Sequence, residues 1–295
     1  LSYAQTGDIT ATYCAVTFDG SLTDQERLEQ TAEIFETNQS LRLLLSYTTS
    51  PDREGHHHGP DTPEVLDAVE KLDTLIKTSF ERTIDIWEKR KRSPDDRFFL
   101  VLTSDHGMSA VQTLVHPEKL AGLENDESAQ VITTGNIAQI YLSRSENAES
   151  QKDVKNRIVN RLASYDFVSV WRRDEIPKKW HFRHPTRTGD LLLVLEEGYT
   201  FNRLATDVLL PLDGTGRSLG THGYDAATTP DMRTFLMIHS YPDSSPETYL
   251  GRVDSLQLHA TVARLLDIDP APKAQPNAIE WNGKEKQELG KQPTH

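Results

Sequence analysis

One cysteine, Cys14, stands in 295 residues. That excludes a disulfide framework within the chain and a cysteine-based zinc ribbon, so any metal has to be held by histidine and carboxylate. No apolar run of about 18 residues occurs, and nothing in the chain reads as a membrane span. Positive charge is in short supply: 32 Lys and Arg face 45 Asp and Glu, for a formal net charge of −13. Coating nucleic acid by charge alone needs a basic surface, so the balance argues against that role. Any phosphate the protein handles must instead meet a local cation. The chain opens at Leu1 with neither a methionine nor a charged-then-apolar signal segment. The expectation is a trimmed N-terminus, with the compartment undecided.

What is present suffices for a core, since 36% hydrophobic residues over this length suit one large α/β domain or two smaller ones. Thr23-Asp24-Gln25-Glu26 has capping-box spacing and opens a helical pattern with Leu28, Ala32 and Phe35 on one face. Leu41 to Tyr47 reads as a buried strand that ends just before Asp52. Thr62-Pro63 opens a second helix, with Val65, Val69, Leu72, Ile76 and Phe80 at helical spacing, running to about Lys91. Phe98 to Thr103 is another buried strand and delivers Ser104-Asp105-His106-Gly107. Further on, Val131 to Leu142 holds strand-like pieces, Val154 to Leu162 a helix, Leu191 to Leu195 and Thr234 to His239 strands, and Leu256 to Leu266 a helix. The alternation predicts an α/β sandwich with a mostly parallel central sheet flanked by helices. Residues 1–272 are expected to form this domain and 273–295 a loose polar tail.

The stretch SPDREGHHHGPDTPEV, Ser50 to Val65, sets three histidines between glycines shortly after an aspartate. Asp52, His56, Asp105 and His106 all fall at expected strand ends, where the loops of such sheets converge on one crevice. Gly55 and Gly107 allow tight turns there. Hard carboxylate oxygen with imidazole nitrogen suits zinc or a related divalent ion. The alternative for each pair is a plain strand-end turn.

PDREGHHHGPDTPEV, LTSDHGM (Leu102 to Met108) and GTHGYD (Gly220 to Asp225), in this order, resemble the nucleotide pyrophosphatase/phosphodiesterase family of the alkaline phosphatase superfamily. IPKKWHFRHPTRTGDLLLVLEEGYTF, Ile176 to Phe201, is similar to that family's segment between the second and third metal motifs. The resemblance runs from about Thr17 to Pro272. It implies two divalent ions, zinc above others, with Asp52, His56 and His222 holding one and Asp105 with His106 the other. His57 and His58 become wall residues of a solvated loop.

The resemblance also implies an earlier segment that carries another ligand aspartate and a serine or threonine nucleophile. No Ser or Thr of these residues sits in the matching context, so no nucleophile is named. The expectation for the 295 residues by themselves is about one bound ion and no turnover. The implied chemistry is hydrolysis of a phosphodiester or pyrophosphate bond in a small nucleotide substrate. Two cations about 4 Å apart screen the anionic diester and stabilise its entering and leaving oxygens. Phosphomonoesterase or phospholipid headgroup hydrolase activity is an alternative on the same metal core, and a non-catalytic metal-binding remnant is another. From the resemblance alone, the location is extracytoplasmic, periplasmic or secreted.

Four features read more simply. His181, Arg183, His184 and Arg187 form a basic cluster best read as a salt-bridged surface rather than a phosphate contact. Tyr224 either stacks on a base or packs. Lys89 to Arg92 is a solvated helix end complementing the helix dipole. Asn38-Gln39-Ser40 matches a glycosylation acceptor, a frequent accidental pattern.

Overall fold

The computed structural model describes residues 5–6, 9–10, 21–91, 93–144, 147–213, 219–242, 248–274 and 277–280. Cys14, Thr17 and Arg92 lie outside them. A short hairpin of β1 (Gln5–Thr6) and β2 (Ile9–Thr10) precedes the first helix, α1 (Asp24–Thr37). The expected capping box is present: Thr23 Oγ1 accepts from the Glu26 amide at 3.2 Å, and Glu26 returns an acceptor to the Thr23 amide at 2.7 Å. Two orphan donors of the helix end are satisfied in this way.

Next come α2 (Ser50–His58) and the long α3 (Pro63–Arg90). The expected apolar stripe of α3 is only half covered, with Val69 exposed and Ile84, Ile86 and Trp87 buried nearer its C-terminal end. Trp87 and Phe80 meet Phe98 on β3 (Phe98–Thr103), which pairs antiparallel with β13 (Leu236–Tyr241).

The densest core lies elsewhere. β6 (Ala129–Thr134), β7 (Ile137–Leu142), β8 (Val168–Arg172) and β9 (Leu191–Leu195) form a four-stranded antiparallel sheet in the order β6-β7-β9-β8. α4 (Pro117–Ala121) and α5 (Ala148–Leu162) supply Leu120, Ile158 and Leu162 to the same cluster as Ile140, Leu191 and Leu193. Each such fully buried side chain contributes about 1.5–3 kcal/mol. β5 (Thr113–Val115) lies between β10 (Tyr199–Phe201) and β11 (Leu209–Pro211), and β4 (Ser109–Ala110) pairs with β12 (Gly220–Thr221). The last helix is α6 (Gln257–Leu265).

Two expectations differ from what is observed. The fold is α/β, yet among the described strands only β10 and β5 pair in parallel, and a mostly parallel central sheet is not what they form. An apolar run cannot by itself distinguish parallel from antiparallel neighbours. Leu41 to Tyr47 is not a strand, because it has no ladder partner among the described residues, and Leu45 is 83% exposed.

Most of the expected tail, 273–295, falls outside the described residues. Its described part is anchored rather than loose. Ile279 is 3% exposed, and its amide donates to Thr261 of α6 at 2.9 Å. Among the described residues no helix is long and apolar enough to cross a membrane.

Candidate metal centre

Asp52 and His56 sit on a helix, not on the strand-end loop expected. Pro51 is tolerated at the start of α2, where its missing N–H has no partner to lose. Thr49 makes no side-chain cap. Instead Asp24 of α1 reaches across, its two oxygens accepting from the Thr49 and Ser50 amides at 2.9 Å each. Burial pushes the Asp24 carboxyl up, but the bonds from Ser50 and Thr49 outweigh it and hold the group below its ordinary value. α1 therefore fixes the N-terminus of α2, and helical spacing puts Asp52 and His56 on one face.

The other end of α2 is fixed by β12. Leu219 donates its amide to the His56 carbonyl at 2.8 Å, and His56 Nδ1–H donates to the Gly220 carbonyl at 2.8 Å. The second bond fixes the tautomer and leaves Nε2 as the free acceptor. Gly55 and Gly220 make this approach feasible, because a Cβ on Gly220 would stand 2.2 Å from the Gly55 carbonyl oxygen. β12 then carries His222 past its end. Below that loop lies Asn136, fully buried in the β6–β7 turn, its amide oxygen close against Gly223.

The side chains converge on Asp52. Its Oδ1 is buried without a hydrogen-bond partner and has His56 Nε2 at 3.5 Å, His222 Nε2 at 3.7 Å and His106 Nε2 at 4.0 Å. Ligand atoms of Asp52, His56 and His222 all lie within 4.8 Å of one another. Donor atoms around a tetrahedral zinc are about 3.3 Å apart, so the trio is close to the size of a metal cage. An orphan carboxylate oxygen facing imidazole nitrogens also has the right chemistry for a divalent cation.

His106 stacks on His222 with ring centroids 3.4 Å apart, and its Nδ1–H donates to the Gly107 carbonyl at 2.9 Å. Its Nε2 is therefore also free. Asp105 Oδ2 lies 3.5 Å from the same nitrogen, and Asp105 is outside the trio. His57 and His58 point elsewhere, and His58 Nε2 is 3.5 Å from Glu54. Tyr224 packs: it is buried, and its hydroxyl donates to the Tyr199 carbonyl at 2.7 Å. His184 accepts from the Thr186 and Arg187 amides, and Arg183 bonds the Asp174 carbonyl, so these two members of the basic cluster are bonded to backbone groups, where an acid-paired surface is expected.

Burial, then the His106 and His56 rings beside it, hold the His222 imidazole below its ordinary value. Unfolded His222 gains a proton as pH falls through about 6.5, whereas folded His222 gains it only at lower pH. The contribution is full above about 6.5 and is lost as pH falls from there to the folded value. The chelator-treated chain is thus expected to lose stability on acidification across that window. Denaturant midpoints measured from about pH 7.5 to pH 5 should show less of this loss in His222→Gln.

Set beside known proteins, the chain matches the family described as type I phosphodiesterase / nucleotide pyrophosphatase over residues 2–225. It belongs to that family. It is 25% identical over 272 residues to human ectonucleotide pyrophosphatase/phosphodiesterase family member 5, covering 90% of this chain and 50% of that protein. It is 24% identical over 261 residues to human bis(5'-adenosyl)-triphosphatase ENPP4, covering 86% of this chain and 51% of that protein.

The solved structure of human ENPP5 superposes with a TM-score of 0.63 at 24% identity, covering 87% of this chain and 62% of that one. An inactive murine ENPP5 in complex with AMP gives 0.56 at 21% identity, covering 76% of this chain and 54% of that one. These likenesses establish the fold. The chain spans about half the length of the curated relatives it matches.

Proposed function

We propose that the protein hydrolyses phosphodiester or pyrophosphate bonds of nucleotides with two divalent ions, zinc above others. Asp52, His56 and His222 hold one ion, and Asp105 with His106 contributes to the other. The observation that carries this reading is Asp52 Oδ1, buried, unpartnered and faced by three imidazole nitrogens. When bound, the ions screen the anionic ester and stabilise its entering and leaving oxygens.

The chain's own residues prepare the site. The carbonyls of Gly220 and Gly107 accept from Nδ1–H of His56 and His106 and so turn Nε2 of each ring toward Asp52, and Asp24 fixes the helix that carries Asp52. The low-lying pKa of His222 keeps it neutral at neutral pH. A nucleotide substrate is supported by the family, by the adenosyl-triphosphatase name of the ENPP4 relatives and by the AMP complex of murine ENPP5. The reading takes residues 1–272 as one alkaline phosphatase-like catalytic unit.

The test compares hydrolysis of a chromogenic nucleotide diester, a phosphomonoester and a choline phospholipid by the full-length protein. The expected order puts the nucleotide diester first, with chelator and Asp52→Ala each removing the activity. A preference for either other ester would move the protein to that substrate class. Turnover unaffected by both chelator and Asp52→Ala would overturn the reading.

A further inference from the structure

Asp105 is the most exposed of the proposed ligands. Its side chain is 56% exposed at the end of β3. Left alone, a carboxylate there turns freely about its side-chain bonds. Besides the His106 ring 3.5 Å away, two hydrogen bonds restrain it. The His106 amide donates to Oδ1 at 3.1 Å, a local bond that ties Asp105 only to its own loop. The Tyr47 hydroxyl donates to Oδ2 at 3.3 Å, from a segment 58 residues away in sequence.

Tyr47 itself stands on anchored chain. Ser46 beside it exchanges a hydrogen bond with Thr31 of α1 at 2.9 Å, Arg42 bonds the Leu266 carbonyl, and Thr49 is held by Asp24. The same segment runs directly into α2, which carries Asp52 and His56. Burial, then the Asp105 and Asp52 carboxylates, push the Tyr47 phenol above its ordinary value, so it stays protonated and remains a donor.

We propose that Tyr47 is the positioning residue of the second ligand pair, its phenol fixing the Asp105 carboxylate and setting its separation from Asp52. Outer hydrogen bonds of this kind orient ligating carboxylates, and their loss weakens metal affinity by about 10–100-fold. The bond also links the two halves of the centre, one supplied by α2 and the other by the loop after β3. This inference rests on the two-ion reading, and the experiment separates the failure of each.

Zinc is titrated into the chelator-treated full-length protein by competition with a coloured chelator, for wild type, Tyr47→Phe and Asp105→Asn, beside thermal unfolding of the metal-free forms. Wild type should show a tight class of site and a weaker one. Tyr47→Phe should weaken the weaker class about 10–100-fold, leave the tight class nearly unchanged and keep the metal-free unfolding midpoint. Asp105→Asn should act on the same class. An unchanged weaker class in Tyr47→Phe would overturn the inference, and so would a variant in which both classes and the metal-free midpoint fall together, since that marks a packing role. Wild type with the tight class alone also overturns it, because Asp105 then holds no ion. Wild type with no zinc uptake at all sinks the two-ion reading itself.

Discussion

His56→Ala should lower the ion affinity of the Asp52 cluster, and the activity that depends on it, by more than about 100-fold, because loss of even an outer partner of a ligand costs about 10–100-fold. His56 is the only member of the histidine run whose ring is aimed at Asp52. Its Nδ1–H is bonded to Gly220 while Nε2 stands 3.5 Å from Asp52 Oδ1. His58 faces Glu54 instead, and the His57 ring lies against that of His58. His57→Ala and His58→Ala should therefore change zinc affinity by about twofold or less, the usual size of a surface substitution. Equal losses from all three would mean that the ion sits on the outer face of α2.

Gly220→Ala should destabilise the protein by about 3 kcal/mol or more, a large loss for one methyl group. The added Cβ meets the Gly55 carbonyl oxygen at 2.2 Å and Met108 Cγ at 3.1 Å. Only the methionine can swing aside. Relief requires α2 to lift from β12, which stretches the bond from His56 to the Gly220 carbonyl, so zinc affinity should fall together with stability. Gly107→Ala should behave alike, its Cβ falling 1.8 Å from the Asp231 carbonyl oxygen. Urea midpoints of these variants beside wild type give the first quantity and zinc competition the second. A Gly220→Ala protein of wild-type stability would show that α2 and β12 are not packed as described.

Much of the local structure was legible because one signal decided it. Thr23 with Glu26 fixes the start of α1, Pro63 that of α3, and the unbroken apolar run Leu191 to Leu195 is β9 residue for residue. Leu41 to Tyr47 carries the same kind of run and has no ladder partner among the described residues; a ladder needs a neighbour, and composition does not report one. Gly55 reads in the sequence as the pivot of a tight turn. In the fold Pro51 sits harmlessly in the first turn of α2, and a Cβ on Gly55 would press against the Met108 side chain at 3.1 Å.

The candidate centre was legible in part. The motifs named Asp52, His56 and His222, and the three side chains do meet. Tyr47 carries no site signal because it closes an apolar run that reads as a strand, and the Gly220 and Gly107 carbonyls carry none because a backbone acceptor leaves no letter in the sequence. The separation of Asp105 from the trio depends on how the loop after β3 is tied, a tertiary matter.

The central claim is that one divalent ion is held jointly by α2 and the segment after β12. Anomalous diffraction at the zinc edge from crystals of the zinc-loaded protein tests it most directly. The account predicts a strong peak about 2.0–2.2 Å from an Asp52 carboxylate oxygen, His56 Nε2 and His222 Nε2 together. A peak bound by His57 or His58 with Glu54, and none between Asp52 and His222, would contradict it.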